Sequence, residues 1–391
     1  MQDQRATRTA PRQPRWVAEA GVVEHLLSIM ADEHPQVSAG RATLYRLYDL
    51  GYDIDLARAS ELVAPDAVLP RRPRRGEAAA IVTPKPPLTV NLAAEPSVTA
   101  AIFDFGVVSM RLQVTPEQAG SWADFVRFAT GVHNDPALRA ELDRCARELL
   151  DRLRPAVVRP AIAGVTEEYI VFRAGKLSGP DGGPFDPSRL PADALARLLL
   201  NEPRPLSPSA LQDLLPHRFS YTAEDFVALT WESALVVEPD LHDEDVEYVL
   251  EFANAQLLEL RVFDALLDAE LPRMYDRIAG VRTASPIQVA RPYRRLLADL
   301  QTQVADVTEI IERAENAFKV TDDVYLARIY SAALEIFRGA AWRRGIDRKL
   351  SIMRETYEML NAESQAVRAE ALEIAIVLLI VLEVVMSFVR G

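Results

Sequence analysis

The chain has 391 residues, 49% of them hydrophobic and 26% charged, so it has room for two domains and is too apolar to be disordered throughout. Its formal net charge of -13 argues against general nucleic-acid binding, because contacts to phosphates need a basic surface, and no specific DNA binding is expected. A single cysteine, Cys145, cannot form an internal disulfide, which favours a reducing compartment.

Residues 1–40 are predicted to be a disordered tail followed by a short helix. Four arginines in the first fifteen residues stand against one acid and no apolar core, so the segment does not resemble a secretory signal peptide. Pro11 and Pro14 would break the amphipathic helix of an organelle transit peptide. A solvated tail is therefore expected.

Residues 41–240 are predicted to form an α/β domain. Alternating apolar residues favour strands, and apolar residues at helical spacing lie between them. The elements follow the order strand, helix, strand, strand, helix, strand, which is typical of a split βαβ, ferredoxin-like unit. The predicted strands lie at 41–51, 87–93, 98–114, 167–175 and 226–239. A Pro/Gly-rich insert is predicted at 176–210.

The segment 65–87 contains six prolines and a cluster of arginines at 71, 72, 74 and 75. Proline cannot occupy the interior of a central strand, so the segment is predicted to be a linker or a sheet edge with a basic loop. A solvated loop and a contact with an anionic surface or partner both stay open.

Residues 241–370 are predicted to form an all-α, heptad-rich domain that includes coiled-coil packing. Apolar residues recur in alternating steps of four and three, which is the spacing of a heptad seam. One seam covers 293–318, and a second begins at Ile346 and runs without proline or glycine through Val389. The sequence therefore predicts one long terminal helix.

Residues 371–391 are predicted to be a C-terminal membrane anchor, with the rest of the chain on the cytosolic side. The run from Leu372 is almost long enough to cross a bilayer, although Glu373 and Glu383 lie within it. Glu383 is expected to face a neighbouring helix or subunit, because a charge in an apolar environment needs a partner. A buried helix of a soluble bundle is the alternative.

Few residues suggest chemistry. Asp104-Phe105-Gly106 spells the magnesium loop of kinases, but no glycine-rich phosphate loop or catalytic loop accompanies it, and the glycine is predicted to mark a bulge or a close backbone approach. The five histidines lack metal-site spacing, and neither a metal nor a cofactor is predicted. A basic run is predicted to be the solvated face of a helix, with a ribosome, RNA or acidic-lipid contact as the alternative. It comprises Arg343, Arg344, Arg348 and Lys349.

Two stretches of the chain, and their order, are similar to those of a known family. They are AAIFDFGVVSM at 100–110 and, after it, the segment 322–385. With them the chain resembles the "required for meiotic nuclear division" family over roughly residues 40–390. Asp104, Phe105 and Gly106 match the family's Phe-Asp-Tyr/Phe-Gly strand, and Leu372, Glu373 and Glu383 match its terminal anchor. Ile374 departs from the large residue that members often carry there. The resemblance implies a non-enzymatic, membrane-associated protein that forms large homo-oligomers, and mitochondrial members are implicated in supporting translation.

The expected function is a non-enzymatic, tail-anchored scaffold that forms homo-oligomers through its C-terminal helices. It would tether translation or other cytosolic machinery at a membrane, with a protein or the ribosome as partner. The alternative is a small-ligand-binding or enzymatic α/β domain that uses carboxylates near Asp104, and a pocket around that residue would favour it.

Overall fold

The computed structural model of the chain describes residues 35–63, 67–68, 86–93, 97–117, 120–160, 164–215, 217–282 and 323–390, with single positions at 298, 302 and 305. The predicted tail and short helix before residue 35, the arginine cluster at 71–75 and the heptad seam at 293–318 lie outside the described residues, except for those single positions.

Fourteen strands are described, and most are short. They are β1 (Gln36–Ser38), β2 (Arg41–Asp49), β3 (Gly51–Ile54), β4 (Ala67–Val68), β5 (Leu88–Ala93), β6 (Ser97–Ile102), β7 (Val107–Val114), β8 (Gly120–Ser121), β9 (Val157–Pro160), β10 (Thr166–Ala174), β11 (Lys176–Ser178), β12 (His217–Phe219), β13 (Phe226–Leu229) and β14 (Ser233–Val237).

The α-helices divide into short ones within the first part of the chain and long ones after it. The first group is α1 (Leu56–Val63), α2 (Trp122–Asn134), α3 (Pro136–Leu153), α4 (Ala192–Leu200) and α5 (Pro208–Leu214), and the second is α6 (Asp245–Arg282), α7 (Val324–Ile336) and α8 (Gly339–Arg390). Local chemistry sets several of their starts. Ser121 and Asp124 form a capping box at α2, and the carboxylate of Asp323 accepts from the first amides of α7.

Nine strands form one mixed sheet in the order β12-β13-β14-β10-β2-β7-β6-β5-β4. The neighbours are antiparallel except β10 and β14, which run parallel. The central strands lie in the order β10, β2, β7 and β6, and helices separate β2 from β6 and β7 from β10 along the chain. The predicted mixed α+β class is confirmed.

Two predicted strands are hairpins. The run at 98–114 divides into β6 and β7 at a turn over 103–106, and the run at 226–239 divides into β13 and β14 at Trp231. Each pair of strands carries continuous apolar residues because both faces of the sheet are covered, and alternation alone does not reveal a tight turn inside such a run.

The sheet is the middle layer of three. One face packs against α1 to α4 around residues such as Leu44, Met110 and Phe172. The other face packs against α6 and α7 around residues such as Tyr45, Val171 and Phe252. The predicted boundary at 240/241 falls just before α6, yet this helix shares a core with the sheet. Burying each large aliphatic side chain contributes about 1.5–3 kcal/mol, so the shared core binds the two parts firmly.

Helix α8 is one continuous helix of 52 residues, as the unbroken seam predicts. Its first turns pack on the body through Ile346, Leu350 and Met353, which are buried. Further along, every described side chain from 372 to 386 is exposed.

The predicted membrane anchor at 371–391 is wrong, and so is the single-pass membrane localisation that depended on it. Among the residues that the structure describes, none of the helices is both long enough and apolar enough to span a bilayer. Glu373 and Glu383 lie within the exposed run 372–386, and a charged side chain in the hydrocarbon core of a bilayer is costly.

Candidate functional site

The motif Asp104-Phe105-Gly106 is the turn between β6 and β7, and it lies against the bend between β2 and β3. The amide of Ile54 donates to the Asp104 carbonyl (2.8 Å), and the amide of Leu50 donates to the Gly106 carbonyl (2.9 Å). Gly106 has φ +94°, and a Cβ built there would lie 1.8 Å from the carbonyl oxygen of Gly51. The predicted close backbone approach at this glycine is confirmed.

Phe105 ties the same turn to the helical layer. Its ring stacks on Phe103, with centroids 5.1 Å apart, and meets Phe252 of α6 edge-on at 6.0 Å. The motif therefore joins three elements of the fold. Among the described residues, no group of three or more histidine, cysteine, aspartate or glutamate side chains is placed to hold a metal ion.

Asp49, which the sequence did not single out, ends β2 beside this turn. Burial raises the pKa of Asp49 to about 6, although a hydrogen bond from the backbone of Gly51 acts in the opposite direction. One carboxylate oxygen, Oδ2, has no hydrogen-bond partner. Its position at the end of a strand was visible in the sequence, but its burial depends on the packing of β3 and the turn.

Buried ion pairs join the sheet to α6. Arg173 of β10 is 1% exposed, and its Nη1 lies 2.5 Å from Oε1 of Glu247. The same guanidinium donates to the carbonyls of Asp240 and Asp243, each at 2.6 Å. Arg41 of β2 stands directly opposite Arg173 and reaches the same Glu247 oxygen at 3.3 Å. Arg41 also lies 3.2 Å from Glu244, so two glutamates offset two arginines that would otherwise repel each other.

A second pair, Arg111 of β7 with Glu251, lies one turn further along α6. Burial alone would lower the pKa of Arg111, but the charge of Glu251 and its hydrogen bond outweigh burial and raise it. Tyr45, opposite Arg111, has a raised pKa because of burial and the nearby Glu251 carboxylate. These groups orient α6 on the sheet, a structural arrangement that sequence reasoning missed because the partners lie 74 to 206 residues apart.

The predicted basic face of α8 is divided. Nζ of Lys349 lies 2.7 Å from Asp264 and 2.6 Å from Asp268 of α6, so this lysine fixes α8 to the body. Arg344 and Arg348 are exposed, whereas Arg343 is half-buried. The four residues therefore do not form one solvated surface.

A groove of about 470 Å³ lies between β12 and the exposed side of α7. The guanidinium of Arg328 stands 5.6 Å from the ring centroid of Phe219 inside it. Asp104 does not line this groove. The described residues that line the groove are His217, Phe219, Asp323, Val324, Ala327, Arg328, Ser331, Ala332 and Glu335.

The terminal part of α8 has a different character. Twelve large apolar side chains are exposed by 45–66%, and they occupy all sides of the helix. Glu373 and Glu383 are exposed among them, with Leu372 at the start of the run. The twelve are Leu372, Ile374, Ile376, Val377, Leu378, Leu379, Ile380, Val381, Leu382, Val384, Val385 and Met386.

A family described as "Uncharacterized protein MJ0711, N-terminal domain" matches residues 39–244, a little over half of the chain and all nine strands of the large sheet. The chain is also similar to "Uncharacterized protein MJ0711" of Methanocaldococcus jannaschii, at 22% identity over 250 residues, which cover 64% of this chain and 74% of that protein. No solved structure matches the chain significantly. Because the family match spans the sheet and its helices, the chain belongs to the MJ0711 N-terminal domain family.

Proposed function

We propose that the protein is a non-enzymatic scaffold whose copies associate through the apolar part of α8, residues 372–386. The observation that carries this proposal is the exposure of twelve large apolar side chains on a helix that is fixed to a folded body. A monomeric soluble protein rarely exposes so large a continuous apolar surface, and such surfaces usually mark interaction sites.

The size of the surface suits a second copy of the chain. A large aliphatic side chain buries on the order of 100 Å², so twelve that are about half exposed offer on the order of 600 Å². A standard interface buries about 800 Å² on each partner, so the surface approaches that of a stable complex. Because the apolar residues lie on all sides of the helix, association of more than two copies would cover them best.

The base of α8 supports such a role. Ile346, Leu350 and Met353 are buried, and Lys349 pairs with two aspartates of α6, so the helix projects from the body in a fixed direction. A rigid helix loses less conformational entropy on association than a loose segment. Oligomers formed here would therefore hold the sheet domains in a defined arrangement.

Two other expectations remain proposals. The order of β10, β2, β7 and β6 supports a ferredoxin-like unit at the centre of the sheet. The resemblance to the "required for meiotic nuclear division" family, with a partner in translation, stays a prediction. The enzymatic alternative gains no support at Asp104, which lies in a tight turn outside the described groove.

The test is the molar mass of the full chain in solution, measured by light scattering after size-exclusion chromatography. We expect an oligomer, and we expect the double variant Ile376→Lys, Leu379→Lys to shift it towards the monomer, since lysine preserves helix propensity but opposes apolar contact. Met359→Lys is the matched control, because Met359 is 54% exposed on the same helix outside the run. A monomeric full chain, or a double variant that keeps its mass, would contradict the proposal.

A further inference from the structure

Strand β12 forms one end of the nine-stranded sheet and pairs with β13 alone among the described strands. An end strand presents backbone N–H and C=O groups on its outer side, and these groups can pair with another extended chain. The strand is three residues long and contains no proline, so each of its residues has a backbone N–H group.

Helix α7 lies beside the outer edge of β12 and forms the groove described above. His217 and Phe219 of β12 point to the side of the sheet that α7 covers, while Arg218 points to the opposite side. A strand added to β12 would alternate in the same way. Every second side chain of the added strand would therefore face the groove. Val324, which is 75% exposed, offers an apolar contact there.

The charge in the middle of the groove indicates the kind of side chain that fits. Arg328 is exposed and stands over the ring of Phe219, and no carboxylate of the described residues forms an ion pair with it. Asp323, at one end, already accepts from the amides of Tyr325 and Leu326. Glu335 lies two helical turns away from Arg328, so the central position favours an acidic group.

We propose that this groove binds an extended peptide that adds to the outer edge of β12 and places an acidic side chain against Arg328. Main-chain pairing would supply affinity, and the groove would supply specificity, as in other complexes formed by strand addition. The binding site is separate from the apolar part of α8, so it does not depend on self-association.

The test uses fluorescein-labelled nine-residue peptides of alternating threonine and valine, with glutamate at the central position, titrated with the full chain by fluorescence anisotropy. The comparison peptides carry lysine at the centre, or proline at the two positions flanking it. We expect the glutamate peptide to bind about tenfold more tightly than the lysine peptide, and the proline peptide to lose binding because it cannot donate to the strand.

Arg328→Glu should reverse the preference, so that the lysine peptide binds more tightly than the glutamate peptide. Arg344→Glu makes the same charge change at an exposed position of α8 and should preserve the original order. Unchanged melting temperatures would show that both variants fold. The proposal would be overturned if the two charged peptides bound equally, or if Arg328→Glu kept the original order. It would also be overturned if Arg328→Glu lost oligomer mass, because the groove would then bind a second copy of the chain.

Discussion

Gly106 shows how one residue fixes a junction between elements. Its φ of +94° is costly for any residue with a Cβ, and the added atom would collide with the carbonyl oxygen of Gly51. We expect Gly106→Ala to lower the free energy of unfolding by at least about 3 kcal/mol in a denaturant titration.

Gly131 provides the matched control for that experiment. It is exposed near the end of α2, and a Cβ there would meet no atom within 4 Å. Gly131→Ala should raise the free energy of unfolding by about 0.5–1 kcal/mol, because alanine favours helix more than glycine does. Equal losses in the two variants would contradict a specific role for the β6–β7 turn.

Asp49 should make stability depend on pH near neutrality. Its pKa is raised to about 6 in the folded protein, against an ordinary value of 3.8, so folding favours the protonated form. The protonated carboxyl group of Asp49 therefore contributes fully to the free energy of unfolding below about pH 4, and this contribution is lost as the pH rises through 6. We therefore expect Asp49→Asn to be more stable than the natural chain by about 1–3 kcal/mol at pH 7.5 and equal to it near pH 4.

Thermal or denaturant unfolding at several pH values measures this difference. Asp213→Asn removes the same charge from an exposed position of α5 and should change stability little at any pH. An Asp49→Asn difference that does not vary between pH 4 and 7.5 would rule out the titration of Asp49 as its cause.

At the scale of elements, the sheet and α6 are joined by charges as well as by apolar packing. We expect Glu247→Gln to destabilise the protein by about 3–5 kcal/mol, because it leaves the buried guanidinium of Arg173 without its compensating charge. Glu247→Gln, Arg173→Met and the double variant that combines them form a cycle. The double variant should cost less than the sum of the two single changes, since it removes both charges. Denaturant titrations of the three variants give this coupling directly.

The exposed pair Arg144–Glu148 of α3 is the reference for that cycle. Its side chains are 49% and 68% exposed, and Glu148→Gln is expected to leave stability unchanged within error. If the changes at Arg173 and Glu247 had additive effects on the free energy of unfolding, the two side chains would act independently. That result would contradict the ion pair described between them.

The elements that the sequence predicted well are those with a strong period. The seam from Ile346 predicted α8 as one helix, and the alternation at 41–51 predicted β2. The hairpins at 98–114 and 226–239 were missed because continuous apolar runs hide a turn. Edge strands such as β12 gave no signal, since three residues cannot establish a period. The groove beside β12 was therefore invisible in the sequence.

For the whole molecule, the decisive feature is a sheet that is covered on both faces by different parts of the chain. The second face carries Tyr45, Val171 and Val227, and its cover comes from α6 and α7. The family match ends at residue 244, directly before α6 begins. The range of the family match therefore does not mark the limit of the folded core.

This architecture predicts that a fragment of residues 1–244 will not fold on its own. Without α6 and α7 it exposes an apolar face whose burial is worth tens of kcal/mol, more than the net stability of about 5–15 kcal/mol that a domain has. Arg173 would also lose Glu247. We expect this fragment to aggregate or to bind a hydrophobic dye without a cooperative melting transition. A fragment of residues 1–370 keeps the buried contacts of α6, α7 and α8 and should melt cooperatively. A monodisperse, cooperatively melting 1–244 would show instead that the sheet and its first helical layer are sufficient.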